Sequence, residues 1–276
     1  MKVAVVTGAN SGFGLLIAQK LLAANYIVVA TMRDVRNQSE LMHYAEKNHK
    51  APNLFVWQMD VTDETQIKEA VQVVEEKYGK VDVLINNAGY CQAGFLKDLT
   101  LTQWKSQLDV NVTGVFIVTN LFLELLKKSE RAKVINISSV SGLIGLPGLS
   151  SYCSSKFALE GLSESMRWEL KKEGIAVSLV EPGSYQTKIW NKSLQQVENQ
   201  SESFNDFEKK VMEQARASSE NAANPEEVAS LVLTICKKSN PKLRYPIGKN
   251  IKFIYLAKRW LPSSWIDFIL WKKLNS

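Results

Sequence analysis

Two rhythms of apolar and polar positions alternate along the chain. Residues 2–7 (KVAVVT) form a β-branched run that predicts a short buried strand, and residues 15–26 (LLIAQKLLAANY) carry helical spacing. The same exchange recurs. Strands are predicted over 26–33 (YIVVATMR), 54–61 (LFVWQMDV), 81–89 (VDVLINNAG), 133–139 (KVINISS) and 175–183 (IAVSLVEPG), with a short last one at 243–248 (LRYPIG). Between them, 62–79 predicts an amphipathic helix capped by Thr62 or Asp63 and closed by Gly79. Residues 100–129 read as one long helix that is apolar on most faces, and 152–170 as another helix. Residues 224–241 give a helix with Asn224 as cap and Pro225 in its first turn. Strands alternating with helices predict an α/β fold of the Rossmann type: a doubly wound parallel sheet, one domain over 1–276, with helices on both faces.

Composition narrows the class without changing the fold. The 276 residues are 45% hydrophobic and 22% charged, as expected of a globular chain with a sizeable core. The first apolar run is too short for a signal peptide, and no stretch is apolar for long enough to span a bilayer. Cys91, Cys153 and Cys236 are odd in number and widely spaced, which fits a reducing cytoplasm. His43 and His49 lie in a polar helical stretch, so no metal site is expected. The net charge of +6 is concentrated after Lys237, where Asp267 is the one acid, so a nucleic-acid partner is not expected.

The turn Gly8-Ala9-Asn10-Ser11-Gly12-Phe13-Gly14 sits between the first strand and the first helix. Its glycines let backbone N–H groups approach a pyrophosphate at the helix N-terminus. Tyr152 and Lys156 are four apart on a predicted helix and therefore share a face. The ammonium is expected to lower the tyrosine pKa towards working pH. The Ser138–Ser139 pair closes the strand beside them. At the end of the second strand, Arg33 can pair with a phosphate in bidentate fashion, whereas Asp34 can reach a ribose hydroxyl. NADP(H) is favoured and NAD(H) remains open.

In order and in context, these motifs resemble the short-chain dehydrogenase/reductase family, nearest in motif to its 17-beta-hydroxysteroid and retinol dehydrogenase-like members. The shared marks are TGxxxGxG at Gly8, Gly12 and Gly14, NNAG at Asn87-Ala88-Gly89, a serine followed by Tyr-x-x-x-Lys, and PGxxxT from Pro182-Gly183 to Thr187. They cover about the first 190 residues. The resemblance implies hydride transfer between a nicotinamide and a carbonyl or secondary alcohol, with Asn111, Ser139, Tyr152 and Lys156 as the catalytic set. Tyr152 would protonate the alkoxide, Ser139 would bond the carbonyl oxygen, and Asn111 would hold a water leading to the lysine. Lys156 would also hold the nicotinamide ribose, Asp60-Val61 would touch the adenine, and Thr187 would stand beside the carboxamide.

Residues 188–223, polar and uneven, resemble the family's substrate lid; Phe204 and Phe207 either anchor it or pack its own helix. Leu143, Ile144 and Leu146 are expected to line a pocket for a hydrophobic carbonyl or alcohol. The extension 249–276, rich in aromatics and lysines, has three readings: helices covering the substrate mouth, a subunit interface, or a peripheral membrane contact. A homo-oligomer, dimer or tetramer, is expected through the long helix from Trp104 and the tyrosine helix. Two rival functions remain: a membrane-surface lipid or retinoid reductase, and a non-catalytic NADP-sensing binding protein.

Overall fold

Side chains of the first strand, β1 (Val3–Thr7), divide between two separate cores. Ala4 and Val6 join one apolar cluster, Val3 and Val5 the other. Such a strand is buried on both faces, which is why its sequence is a continuous apolar run. The structure, a computed structural model, describes residues 1–187, 193–198, 203–249 and 251–275.

Seven parallel strands form one sheet in the order β3-β2-β1-β4-β5-β6-β7. The others are β2 (Ile27–Met32), β3 (Leu54–Gln58), β4 (Val83–Asn86), β5 (Lys133–Ile137), β6 (Ala176–Pro182) and β7 (Arg244–Ile247). On one face lie α1 (Gly12–Ala23), α2 (Ser39–Lys47) and α10 (Glu226–Lys237), through Ile17, Leu21, Leu41 and Val232. On the other lie α3 (Glu64–Tyr78), α5 (Gly114–Leu121) and α7 (Ser150–Glu169), through Ile67, Val74, Val118 and Met166. This is the doubly wound sheet that the alternation predicts. The chain leaves β1 in one direction and returns to β4 on its other side, and ligands of such sheets bind in the crevice at that reversal.

Buried hydrogen bonds brace the sheet at both ends of its central strands. At the start, Val3 N–H donates to the Asp82 carboxylate at 2.7 Å, and Ser129 Oγ donates to the other oxygen at 2.7 Å. Near the other end, Asn86 Nδ2 donates to Asn136 Oδ1 (2.8 Å) and Thr119 Oγ1 (2.9 Å), and Asn136 Nδ2 donates to Ser163 Oγ (2.8 Å). These buried amides tie β4 and β5 to α5 and α7.

The long helix over 100–129 is not continuous. It comprises α4 (Leu101–Leu108), a π turn over Asp109–Thr113, α5, and after a break at Phe122 the short α6 (Leu123–Lys127). Gly114 brings the helix onto Val61, where an added Cβ would come within 2.9 Å of the Val61 side chain and carbonyl. The extra π residue accompanies a rotation of Asn111 into the interior, where it is buried. Elsewhere the differences are small. The third strand stops at Gln58 rather than residue 61, and Asp63 is the α3 cap, accepting from Thr65 and Gln66 N–H. Asn224 accepts from Glu226 N–H at 2.9 Å.

Candidate active site

The floor of the crevice is built from the loops after β1 and β4. Gly8 (φ +65°) and Gly12 (φ +56°) take left-handed backbone conformations that favour glycine. A Cβ on Gly14 would collide with the Gly8 carbonyl and the Asn87 amide, and one on Gly8 would meet Ala88 Cα at 2.9 Å. The loops are laced together. Thr7 Oγ1 accepts from the N–H groups of Asn87 (3.0 Å) and Ala88 (2.9 Å), while Asn87 Nδ2 donates to the carbonyls of Thr7 (2.8 Å) and Gly8 (3.1 Å). Helix α1 begins at Gly12, and the Ser11 side chain makes no capping bond to it. Its first-turn N–H groups are thus left for an anion, with Asn10 and Ser11 beside them. Thr187 lies over this turn, 3.9 Å from where a Gly12 Cβ would stand. Phe13 packs edge-on against Tyr185, centroids 5.7 Å apart.

Past the end of β5 and at the start of α7, three of the four predicted catalytic side chains converge. The Ser139 hydroxyl bonds the Tyr152 phenol and accepts from Ser141 N–H at 3.1 Å. Lys156 Nζ donates to the Ile137 carbonyl at 2.8 Å and stands 5.7 Å from the centre of the Tyr152 ring. Asn111 joins through the backbone. Its Oδ1 accepts from Tyr90 N–H (3.2 Å), and its Nδ2 donates to the Tyr90 carbonyl (3.0 Å) and Ser155 Oγ (3.1 Å). Ser155 Oγ in turn donates to the Tyr152 carbonyl at 2.7 Å. The asparagine therefore holds the tyrosine's own turn.

The electrostatics correct one expectation. The Tyr152 pKa is raised, by burial first and then by Cys91, with only the Ser139 bond pulling it down. Lys156 is desolvated too, its pKa lowered to about 8 by burial against the opposing pull of Glu160. The lysine sits over the ring and is held by a backbone carbonyl, so the phenol stays protonated near neutral pH. A protonated phenol is the form that donates a proton.

A buried ionic cluster behind Lys156 escaped the sequence reading. Arg244 meets Glu160 at 2.9 Å, Glu164 at 2.7 Å and Glu181 at 3.2 Å. Glu181 is fully buried, and burial together with Glu160 pushes its pKa up to about 8. The available signal was Glu160, four residues past Lys156 on the same helix.

At the end of β2, Arg33 is exposed. Asp34 is gripped through both oxygens by Arg36, at 2.8–3.1 Å, and side-chain and backbone bonds from Arg36 lower its pKa. Arg36 also went unread in the sequence. Past β3, Asp60 accepts from Thr62 N–H (2.9 Å) and Oγ1 (2.8 Å), and Val61 is buried under Gly114. Gly89 lies against Asn111 Oδ1, and Gly183, after Pro182, donates to the Ile247 carbonyl at 3.0 Å.

An apolar wall faces Tyr152. Cys91, Ala93, Phe95, Val197, Val211 and Met212 form one cluster, with Tyr152, Leu149, Leu194, Phe204 and Phe207 packed on it. The segment after β6 contributes α8 (193–198) and α9 (Asp206–Glu220). Ser193 donates to the Cys91 carbonyl at 3.4 Å, and Phe204 meets Phe95 edge-on at 6.1 Å. Phe204 and Phe207 thus pack the segment that carries α9 against this wall. Of the stretch expected to form a lid, residues 188–192, including Trp190, and 199–202 lie outside the described residues.

A family model described as short chain dehydrogenase matches residues 2–198. The chain is 42% identical over 279 aligned residues to the uncharacterized oxidoreductase YusZ of Bacillus subtilis, covering 100% of this chain and 99% of the relative. It is 31% identical to the 3-ketodihydrosphingosine reductase of Bacteroides thetaiotaomicron (98% and 96% covered). It is 37% identical to the human 17-beta-hydroxysteroid dehydrogenase type 1 (94% and 79% covered). Two solved structures at 25% identity carry nucleotides. A short-chain dehydrogenase/reductase of Burkholderia phymatum in complex with NAD superposes with TM-score 0.79, covering 94% of this chain and 92% of that one. ElxO with NADP bound gives 0.76, covering 91% and 99%.

Proposed function

The chain belongs to the short-chain dehydrogenase/reductase family, and from that premise we propose that it moves hydride between NADP(H) and a carbonyl or secondary alcohol on a hydrophobic substrate. The observation that carries the reading is the meeting of Ser139, Tyr152 and Lys156 beside the laced glycine and NNAG loops.

The cradle suits a dinucleotide, because Gly8 and Gly14 leave no room for a side chain and the first turn of α1 offers uncapped N–H groups. Bound there, the nicotinamide supplies or accepts the hydride. In reduction, Tyr152, kept protonated by burial, gives its proton to the substrate oxygen. Ser139 donates a hydrogen bond to the same oxygen as charge develops on it. Lys156 offsets the charge left on the phenolate and holds ribose hydroxyls. Asn111 acts through Ser155 to keep the tyrosine turn in place.

Preference for NADP(H) is supported by exposed Arg33 and by the commitment of Asp34 to Arg36, which takes the competing acid away from a ribose. Asp60, Val61, Pro182, Gly183 and Thr187 complete the cofactor set. The apolar wall supports a hydrophobic substrate, as do relatives named for a ketosphingoid base and a hydroxysteroid. We assign one catalytic domain, with 188–223 as lid. Exposed Phe116 on α5, with Phe157 and Trp168 on α7, supports a homo-oligomer through those helices, and the three free buried cysteines support a reducing cytoplasm.

The test is NADPH consumption, followed by absorbance, against a panel of apolar ketones and aldehydes. Turnover by the natural chain and none by Tyr152→Phe is the expected result; no turnover across the panel by either would favour a nucleotide-sensing role.

A further inference from the structure

After β7 the chain forms two helices, α11 (Ile251–Trp260) and α12 (Ser263–Asn275), separated at Pro262. Little of their apolar surface is covered by the rest of the chain. Ile251 is buried beside Gly183, the Lys258 ammonium lies 4.5 Å over the Phe157 ring, and Trp271 stacks on Phe207 of the lid at 6.3 Å. Yet Phe253 is 78% exposed, Trp260 76%, Trp265 63%, Phe268 67%, Ile269 53% and Trp271 65%. On α12, Trp265, Phe268 and Ile269 are spaced i, i+3 and i+4 and so share one face of the helix, and an apolar face of this kind is ordinarily buried against a partner. A patch of this kind marks an interaction surface.

Charge selects the partner. From Lys249 to the end there are six basic residues against the single acid Asp267. A two-fold contact between copies sets the same patch against itself, so it would bring those cations together. A surface of anionic headgroups over hydrocarbon complements both features, with Trp and Phe at the interface and Lys and Arg on the headgroups. Among the described residues no helix is long and apolar enough to cross a membrane, so the contact is one of lying on the surface. We propose that the α11–α12 pair docks the protein on an anionic lipid bilayer. The docked face is joined to the pocket wall by the Trp271–Phe207 stack, so a substrate dissolved in the bilayer would meet the lid at the site of contact.

Co-sedimentation of the full chain with vesicles tests this independently of turnover, so it and the catalytic reading can fail separately. Vesicles of phosphatidylcholine containing phosphatidylglycerol should bind the chain about tenfold more tightly than phosphatidylcholine alone. High salt should weaken the binding, and Trp265→Glu/Phe268→Glu should abolish it while thermal unfolding and NADPH binding stay unchanged. The proposal is overturned if the natural chain stays in the supernatant, pellets equally with both vesicle types, or pellets as well with the double substitution. It is also overturned, in favour of a second copy, if only the lipid-free oligomeric mass falls with that substitution.

Discussion

The Lys156 ammonium lies 5.7 Å from the centre of the Tyr152 ring, and its hydrogen bond goes to the Ile137 carbonyl. Held this way, the lysine is itself sensitive to pH near neutrality, with its pKa lowered to about 8 by burial. It is charged below that value and loses its charge as pH rises through it. We predict that kcat/KM in the reducing direction falls above about pH 8. Lys156→Arg should move that limb upward if the variant is active, and Glu160→Gln, which removes the charge supporting the ammonium, should move it down. The pH profiles of the three proteins make the check.

Replacing the phenol isolates proton donation. Tyr152→Phe keeps the ring in the apolar wall and removes only the hydroxyl. Turnover should fall by about 100-fold or more, while NADPH affinity, read by fluorescence titration, changes little. Equal loss of both would make the tyrosine structural.

Cofactor choice should depend on the arginines after β2. Arg33→Ala is expected to raise the KM for NADPH about tenfold or more, the scale of one charge-assisted phosphate contact, and to leave NADH nearly unchanged. Arg36→Ala should release Asp34 and improve NADH relative to NADPH. Steady-state kinetics with both cofactors decide it.

Two glycine substitutions should have opposite signs. Gly14→Ala drives a methyl into the Gly8 carbonyl and the Asn87 amide, so it should cost about 1–3 kcal/mol and weaken nucleotide binding together with stability. Gly161, on the exposed side of α7, has nothing within 4 Å of an added Cβ. Gly161→Ala should stabilise by about 0.5–1 kcal/mol. Denaturant midpoints and nucleotide titrations of both variants test the pair.

Stability should also carry the mark of Glu181. Its folded pKa is raised to about 8, so between the ordinary carboxylate value and about 8 the folded chain keeps a proton that the unfolded chain has released. Stability from this group is therefore lost as pH rises across that window, by up to about 1.4 kcal/mol per pH unit. Glu181→Gln should flatten the slope of unfolding free energy against pH. An unchanged slope would refute it.

The sheet was legible because β1, β2 and β4–β6 are short apolar runs separated by helical periodicities, and the glycine turn and Tyr-x-x-x-Lys needed only local spacing. What stayed hidden depends on contacts between distant segments. Nothing in DVNVT announces a π turn, since its apolar spacing fits an α-helix equally well; the turn goes with what Asn111 reaches at Tyr90 and Ser155. The raised Tyr152 pKa follows from desolvation by the segments packed round the phenol, a quantity that four-residue spacing does not contain. Arg36 was two positions from Asp34 and still unread, because the 3-10 turn that brings them together has no periodic signature.

One feature of β1 governs more than its own strand. With oil on both sides, Val3 to Thr7 could slide by a single position and still bury every side chain, so hydrophobicity does little to choose its alignment. That choice falls to the polar pins at either end, Asp82 on the Val3 N–H and Thr7 on the Asn87 and Ala88 N–H groups. Asn87 and Ala88 are also part of the crevice floor, so the parts that would recognise a cofactor also act as the ruler against which the central strand is set.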